Sequence, residues 1–186
     1  MSTEEARPTR ILYTAEAIVE GGRGGKGRTT DGRLSVDFSF PTELSGDGGP
    51  GTNPEQLFAV GYGACFHNAL LGIARGRSLD LTDSTITAHM GFGPTAVGGF
   101  GLAVTLDLHA PHVTRAEADD LMWRGHDRCP YSRATRGNSE VTLLVDGTRW
   151  IWSEGHSRCA RRSNTRHFRA TISASRSRSA AAGRSR

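Results

Sequence analysis

The chain has 186 residues, 36% of them apolar, which suits one domain with a real core and is too short for two. Its formal charge of +4 comes from the end of the sequence: residues 147–186 hold ten Arg and one Glu, leaving thirteen basic against eighteen acidic residues, a net −5, in the rest. The basic balance is therefore no argument for a nucleic-acid-binding domain. Three widely separated cysteines exclude a disulfide scaffold, the first residues lack the pattern of a secretory leader, and no stretch reads as a membrane span, so a cytoplasmic protein with no membrane partner is expected.

Residues 1–9 read as a flexible N-terminus, and Arg10 to Glu20 as a strand with Ile11, Tyr13, Ala15, Ala17 and Val19 on one face. Glycines 21, 22, 24 and 25 turn the chain around Arg23, and Asp31-Gly32 marks a two-residue hairpin before the alternating Leu34, Val36, Phe38 and Phe40. Pro41 to Thr52 is too rich in Gly and Pro for regular structure. Asn53 then caps a helix with Pro54 at its first position and Gln56 at its third. From Leu57 to Ile73 that helix is apolar or small on nearly every face, which predicts burial on all sides, and Gly61 and Gly63 suggest a closely approaching backbone. Paired strands follow at Ser84–Phe92 and Phe100–Ala110. A capping box at Thr114–Glu117 opens a second helix, and Pro130 ends it near Arg128. Val141, Leu143 and Val145 form a last strand, so residues 10–146 read as one α+β domain. The Arg/Ser-rich residues 147–186 have no periodicity and read as a disordered tail.

Cys65 lies in the middle of the apolar helix and Cys129 at the end of the next, beside a loop from which a thiol could swing. Such a pair suits a two-step reaction in which one thiolate attacks an electrophilic oxygen or sulfur and the second thiol condenses with the resulting sulfenic acid. An unperturbed thiol is only about 3% ionised at pH 7. A guanidinium would correct this, with Arg23 as the cation and Glu55 as the carboxylate that orients it. Glu55 and Cys65 are ten residues apart on one helix, roughly 15 Å along its axis. If both serve one site, Glu55 must come from a second subunit.

Gly51 to Cys65, Gly98-Gly99-Phe100-Gly101-Leu102, and Cys129-Pro130-Tyr131-Ser132 with Ala134-Thr135-Arg136-Gly137-Asn138 strongly resemble the organic hydroperoxide resistance proteins of the OsmC superfamily, over about Ile11 to Val145. The resemblance implies an OsmC-like fold, antiparallel sheets around a long buried central helix in an intertwined homodimer. It also implies a thiol peroxidase for organic and fatty-acid hydroperoxides, with Cys65 peroxidatic, Cys129 resolving, and Arg23 and Glu55 as the activating pair. The Cys65–Cys129 disulfide would be reduced by lipoylated proteins or another dithiol, with no bound metal or cofactor. Phe58, Phe66 and Phe100 could line a slot for the alkyl group.

The sequence also admits three other readings. One is zinc binding in which His126-x-x-Cys129 and His156-x-x-Cys159 pair with Cys65 and His67 as ligands. Another is nucleic-acid binding through the tail, without a recognition element for a specific sequence. The nearest is a general OsmC-type peroxidase with a different peroxide preference.

Overall fold

The structure, a computed structural model, describes residues 8–149. The flexible start expected over 1–9 and the disordered tail expected over 147–186 therefore fall mostly outside the described residues. The first three strands, β1 (Ala17–Glu20), β2 (Lys26–Thr29) and β3 (Ser35–Asp37), form an antiparallel sheet. The strand expected from Arg10 is shorter than its alternation suggests. Its partner β2 offers only four residues, and Ile11, Leu12 and Tyr13 stand exposed before it. The Asp31-Gly32 hairpin forms with a four-residue loop, closed by Thr29 N–H to the Leu34 carbonyl at 2.9 Å, with Gly32 in the left-handed region. Beyond β3, Phe38 makes a parallel bridge to Thr52, which folds the loop between them back and delivers the chain to the central helix.

That helix, α1, runs Pro54–Arg75, and the Asn53 side chain accepts the Gln56 N–H as expected. Its burial differs from the expectation. Tyr62, Phe66, Leu70, Ile73 and Ala74 are buried, whereas Gln56, Val60, Ala64, Asn68 and Gly72, at every fourth position, are exposed. Within one chain the helix is covered on one side only. The two glycines likewise face side chains rather than a backbone: a Cβ at Gly61 would meet the Tyr131 ring at 3.6 Å, and one at Gly63 the Ala88 methyl at 3.5 Å. By length and composition α1 could cross a membrane, contrary to the sequence reading, but its Tyr62–Leu70 face forms the core.

β4 (Thr85–Pro94) and β5 (Phe100–His109) form a long hairpin against α1. α2 (Arg115–Arg128) opens with the full Thr114–Glu117 capping box. Pro130 stops it by holding Cys129 extended, at ψ 126°, and then occupies the first position of a short helix not read from the sequence, α3 (Pro130–Thr135). The chain returns as β6 (Glu140–Val145) and β7 (Thr148–Arg149). The β4-β5-β6-β7 sheet corrects the all-antiparallel expectation at one place. β5 and β6 pair parallel, because the α2–α3 crossover brings the chain back to the starting end of β5. β7 also moves the end of regular structure past Gly147, and Arg115 of α2 secures it by donating to the carbonyls of Val145, Thr148 and Arg149.

Two helices approach closely at Gly125, where α2 crosses α1. A Cβ there would collide with Leu70 Cδ2 and lie 3.2 Å from Phe66 Cζ, and both residues are fully buried. Gly125→Ala should therefore destabilise the protein by about 1 kcal/mol net, since an overpacking cost of about 1–3 kcal/mol exceeds the ~1 kcal/mol gain in helix propensity. Urea unfolding at equilibrium measures it.

Candidate active site

Two pairs of side chains, both expected from the sequence, assemble here. Arg23 sits in a single 3-10 turn, Gly22–Gly24, with Gly21 and Gly22 at positive φ and no room for a side chain at Gly25, whose Cβ would strike the Glu20 carbonyl. These glycines present one long cation from a very tight loop. Glu55, in the first turn of α1, receives it through two hydrogen bonds, Nη1 to Oε2 at 2.8 Å and Nη2 to Oε1 at 2.6 Å. The guanidinium also lies 5.1 Å from the centroid of Phe92, which stacks on Phe100 at 4.8 Å. Bonding to Arg23 lowers the Glu55 carboxyl, and bonding to Glu55 raises Arg23, so both stay charged over the working pH range.

The second pair is the two thiols, unbonded, with sulfurs 3.5 Å apart. Cys65 is half-buried. Cys129 is fully buried between α2 and α3, which corrects its expected place beside a loop: the residues after it form a helix packed on α1. Burial pushes the Cys65 thiol up, the Tyr131 backbone N–H pulls it down, and contact with Cys129 raises it further. Arg23 is not among the groups acting on Cys65 within the chain. Glu55 and Cys65 lie ten residues apart on α1, roughly 15 Å along its axis, so within one chain the carboxylate does not reach the sulfur.

The aromatic residues divide three ways. Phe58 lines a largely apolar cavity of about 560 Å3 with Arg23, Leu57, Phe38 and Tyr131. Phe66 does not face it: fully buried beneath Gly125, it is part of the core, which corrects its assignment to a substrate slot. Phe100 is exposed and supports Phe92 rather than lining this cavity.

The sequence reading missed Tyr62, one turn before Cys65, whose hydroxyl donates to Ser132 Oγ at 2.8 Å and lies 3.2 Å from Thr135 Oγ1. Its signal was the pair of hydroxyls spaced i, i+3 after Cys129-Pro130, side chains that a buried helix face must satisfy. Of the zinc reading, His156 and Cys159 lie outside the described residues. His67 is hydrogen-bonded to Ser84 Oγ, and among the described residues no group of three or more His, Cys, Asp or Glu is placed to share a metal ion.

The family of OsmC-like proteins matches residues 46–144. The organic hydroperoxide resistance protein of Xanthomonas axonopodis pv. citri is 46% identical over 141 residues, 75% of this chain and 99% of that protein. OhrB of Bacillus subtilis is 41% identical over 133 residues, 71% of this chain and 96% of that protein. Its crystal structure covers 73% of this chain and 99% of its own at a TM-score of 0.68. That of an organic hydroperoxide resistance protein from Elizabethkingia anophelis covers 74% and 98% at 0.70, with 43% identity. The chain belongs to the OsmC-like proteins. Within them it is one of the organic hydroperoxide resistance proteins.

The Arg23–Glu55 pair makes a prediction about stability. Because the folded carboxyl lies below its ordinary value of 4.5, its contribution is present above that value and is lost as the pH falls through the lowered one. Glu55→Gln should flatten the acid limb of the stability curve, measured by urea midpoints between about pH 3 and 7.

Proposed function

We propose that this protein is a cysteine-based peroxidase that reduces organic and fatty-acid hydroperoxides to alcohols. The observation that carries the reading is the thiol pair, one sulfur partly accessible and one covered, 3.5 Å apart in a member of this family. The Cys65 thiolate attacks the terminal peroxide oxygen. The O–O bond breaks, the alkoxide takes a proton and leaves as alcohol, and Cys65 becomes a sulfenic acid. Cys129 then displaces hydroxide from that sulfur, forming the Cys65–Cys129 disulfide and water. A dithiol, such as the lipoyl group of a lipoylated protein, returns both to thiols. Because Cys129 is fully covered, the incoming thiol meets the sulfur of Cys65.

The isolated chain leaves the Cys65 thiol raised, so activation must come from elsewhere. We assign it to a homodimer in which the Arg23 of the partner subunit approaches Cys65. Two features support this: the uncovered stripe of α1 at Val60, Ala64 and Gly72, and the distance between Glu55 and Cys65 along the helix. The apolar cavity beside Arg23 and Phe58 suits an alkyl chain, with the guanidinium near the peroxide oxygens. A cytoplasmic setting fits a cycle that depends on a supply of reduced dithiol.

Stopped-flow peroxide titration tests the mechanism. Cys65→Ser should abolish consumption, and Cys129→Ser should allow about one turnover and then accumulate over-oxidised Cys65. Arg23→Met should slow the reaction at pH 7 by about tenfold or more and restore it as the pH rises through the thiol's pKa. Equal rates with hydrogen peroxide and with tert-butyl or lipid hydroperoxides would instead favour a general OsmC-type peroxidase.

A further inference from the structure

We propose that Tyr62 is a positioning residue for disulfide formation: its buried hydroxyl, bonded to Ser132 and Thr135, latches α3 onto α1 and so sets Cys129 against Cys65. The kinetic consequences rest on the peroxidase reading; the placement of the two sulfurs does not.

The latch and the thiol pair share one short circuit. Tyr62 precedes Cys65 by three residues on α1, so both side chains leave the same face of that helix. Ser132 follows Cys129 by the same interval across Pro130. The circuit closes at one end through the Tyr62–Ser132 bond of 2.8 Å and at the other through the 3.5 Å sulfur contact. Tyr62, Ser132 and Cys129 are all fully buried, so water does not compete for these bonds.

Packing alone does not account for a tyrosine here. The ring packs against Phe58 and Tyr131, with centroids at 5.9 and 5.7 Å, contacts that a phenylalanine would keep. Only the hydroxyl needs Ser132 and Thr135, and Thr135 Oγ1 in turn bonds the Tyr131 carbonyl at 3.0 Å. The network thus reaches both the hydroxyls and the backbone of α3. That helix has six residues, too few to hold its position unaided, and it joins α2 at the extended Cys129, about which it could pivot. A pivot would carry off the Tyr131 N–H that contacts the Cys65 sulfur and would change the reach of Cys129.

This reach decides the fate of the oxidised sulfur. In the productive branch the Cys129 sulfur bonds to Cys65, the S–O bond breaks, and the oxygen leaves as water with the Cys129 proton. The sulfurs must close from 3.5 Å to about 2.05 Å. In the competing branch a second hydroperoxide oxidises the sulfenic acid to sulfinic acid and is itself reduced to alcohol.

Two measurements on the full chain test the latch. The first needs no peroxide: equilibrating the Cys65–Cys129 disulfide against dithiothreitol gives the effective concentration of one thiol toward the other. Tyr62→Phe should lower it by about fivefold, the effect of one lost buried hydrogen bond. Ser132→Ala with Thr135→Val should do the same, and adding Tyr62→Phe to that pair should lower it no further. The double variant also carries the test if Tyr62→Phe does not fold. The second measurement is mass spectrometry after excess tert-butyl hydroperoxide, where the sulfinic share of Cys65 should rise in both variants. An unchanged equilibrium in both variants overturns the latch. A lowered equilibrium in a protein whose wild type ignores alkyl peroxides keeps the latch and overturns the peroxidase reading.

Discussion

Where α2 crosses α1, a single hydrogen atom at Gly125 stands in place of a side chain, and Phe66 and Leu70 fill the space beneath it. The Gly125 carbonyl then accepts the Cys129 N–H at 2.8 Å. This close crossing of the two helices thus lies one turn from the buried thiol, and Phe66 is the residue after Cys65. The hydrogen bond to the Gly125 carbonyl ties the backbone of Cys129 to the residue at the crossing.

Two different devices hold the polar groups of the site. Arg23 is carried by a tight glycine-built turn and gains its position from outside, gripped at its edge by Glu55 and faced by the Phe92 ring. The sulfurs are carried by helices and gain their position from packing. Within a single chain the thiol is raised while the carboxyl of the ion pair is lowered, each by its own surroundings.

What could be read in the sequence was what local chemistry decides. Asn53, Pro54 and the Thr114–Glu117 box fix two helix starts with side chains three residues apart, and both appear where expected. The glycines around Arg23 and the two cysteines were legible for the same reason. Pairing between distant segments was not: the parallel match of β6 to β5 depends on which way the crossover returns, and alternation in either strand is the same for both directions. Residues 10–16 alternate like a strand yet have too short a partner. Phe58 and Phe66 lie eight residues apart on one helix, and only the placement of α2 shows that the second belongs to the core. Pro130 was read as a stop when it is also a start, and with α3 went the hydroxyl network on Tyr62.

The thiols that face each other are 64 residues apart in the chain. A covalent crosslink between them would tie a long loop in the unfolded state, and the chain-entropy account puts the resulting gain at about 4 kcal/mol. That is comparable with the whole margin by which small domains stay folded. The oxidised protein would then be the sturdier species and its reduced counterpart the softer one, so the resistance of this fold to denaturation would record its recent exposure to oxidant.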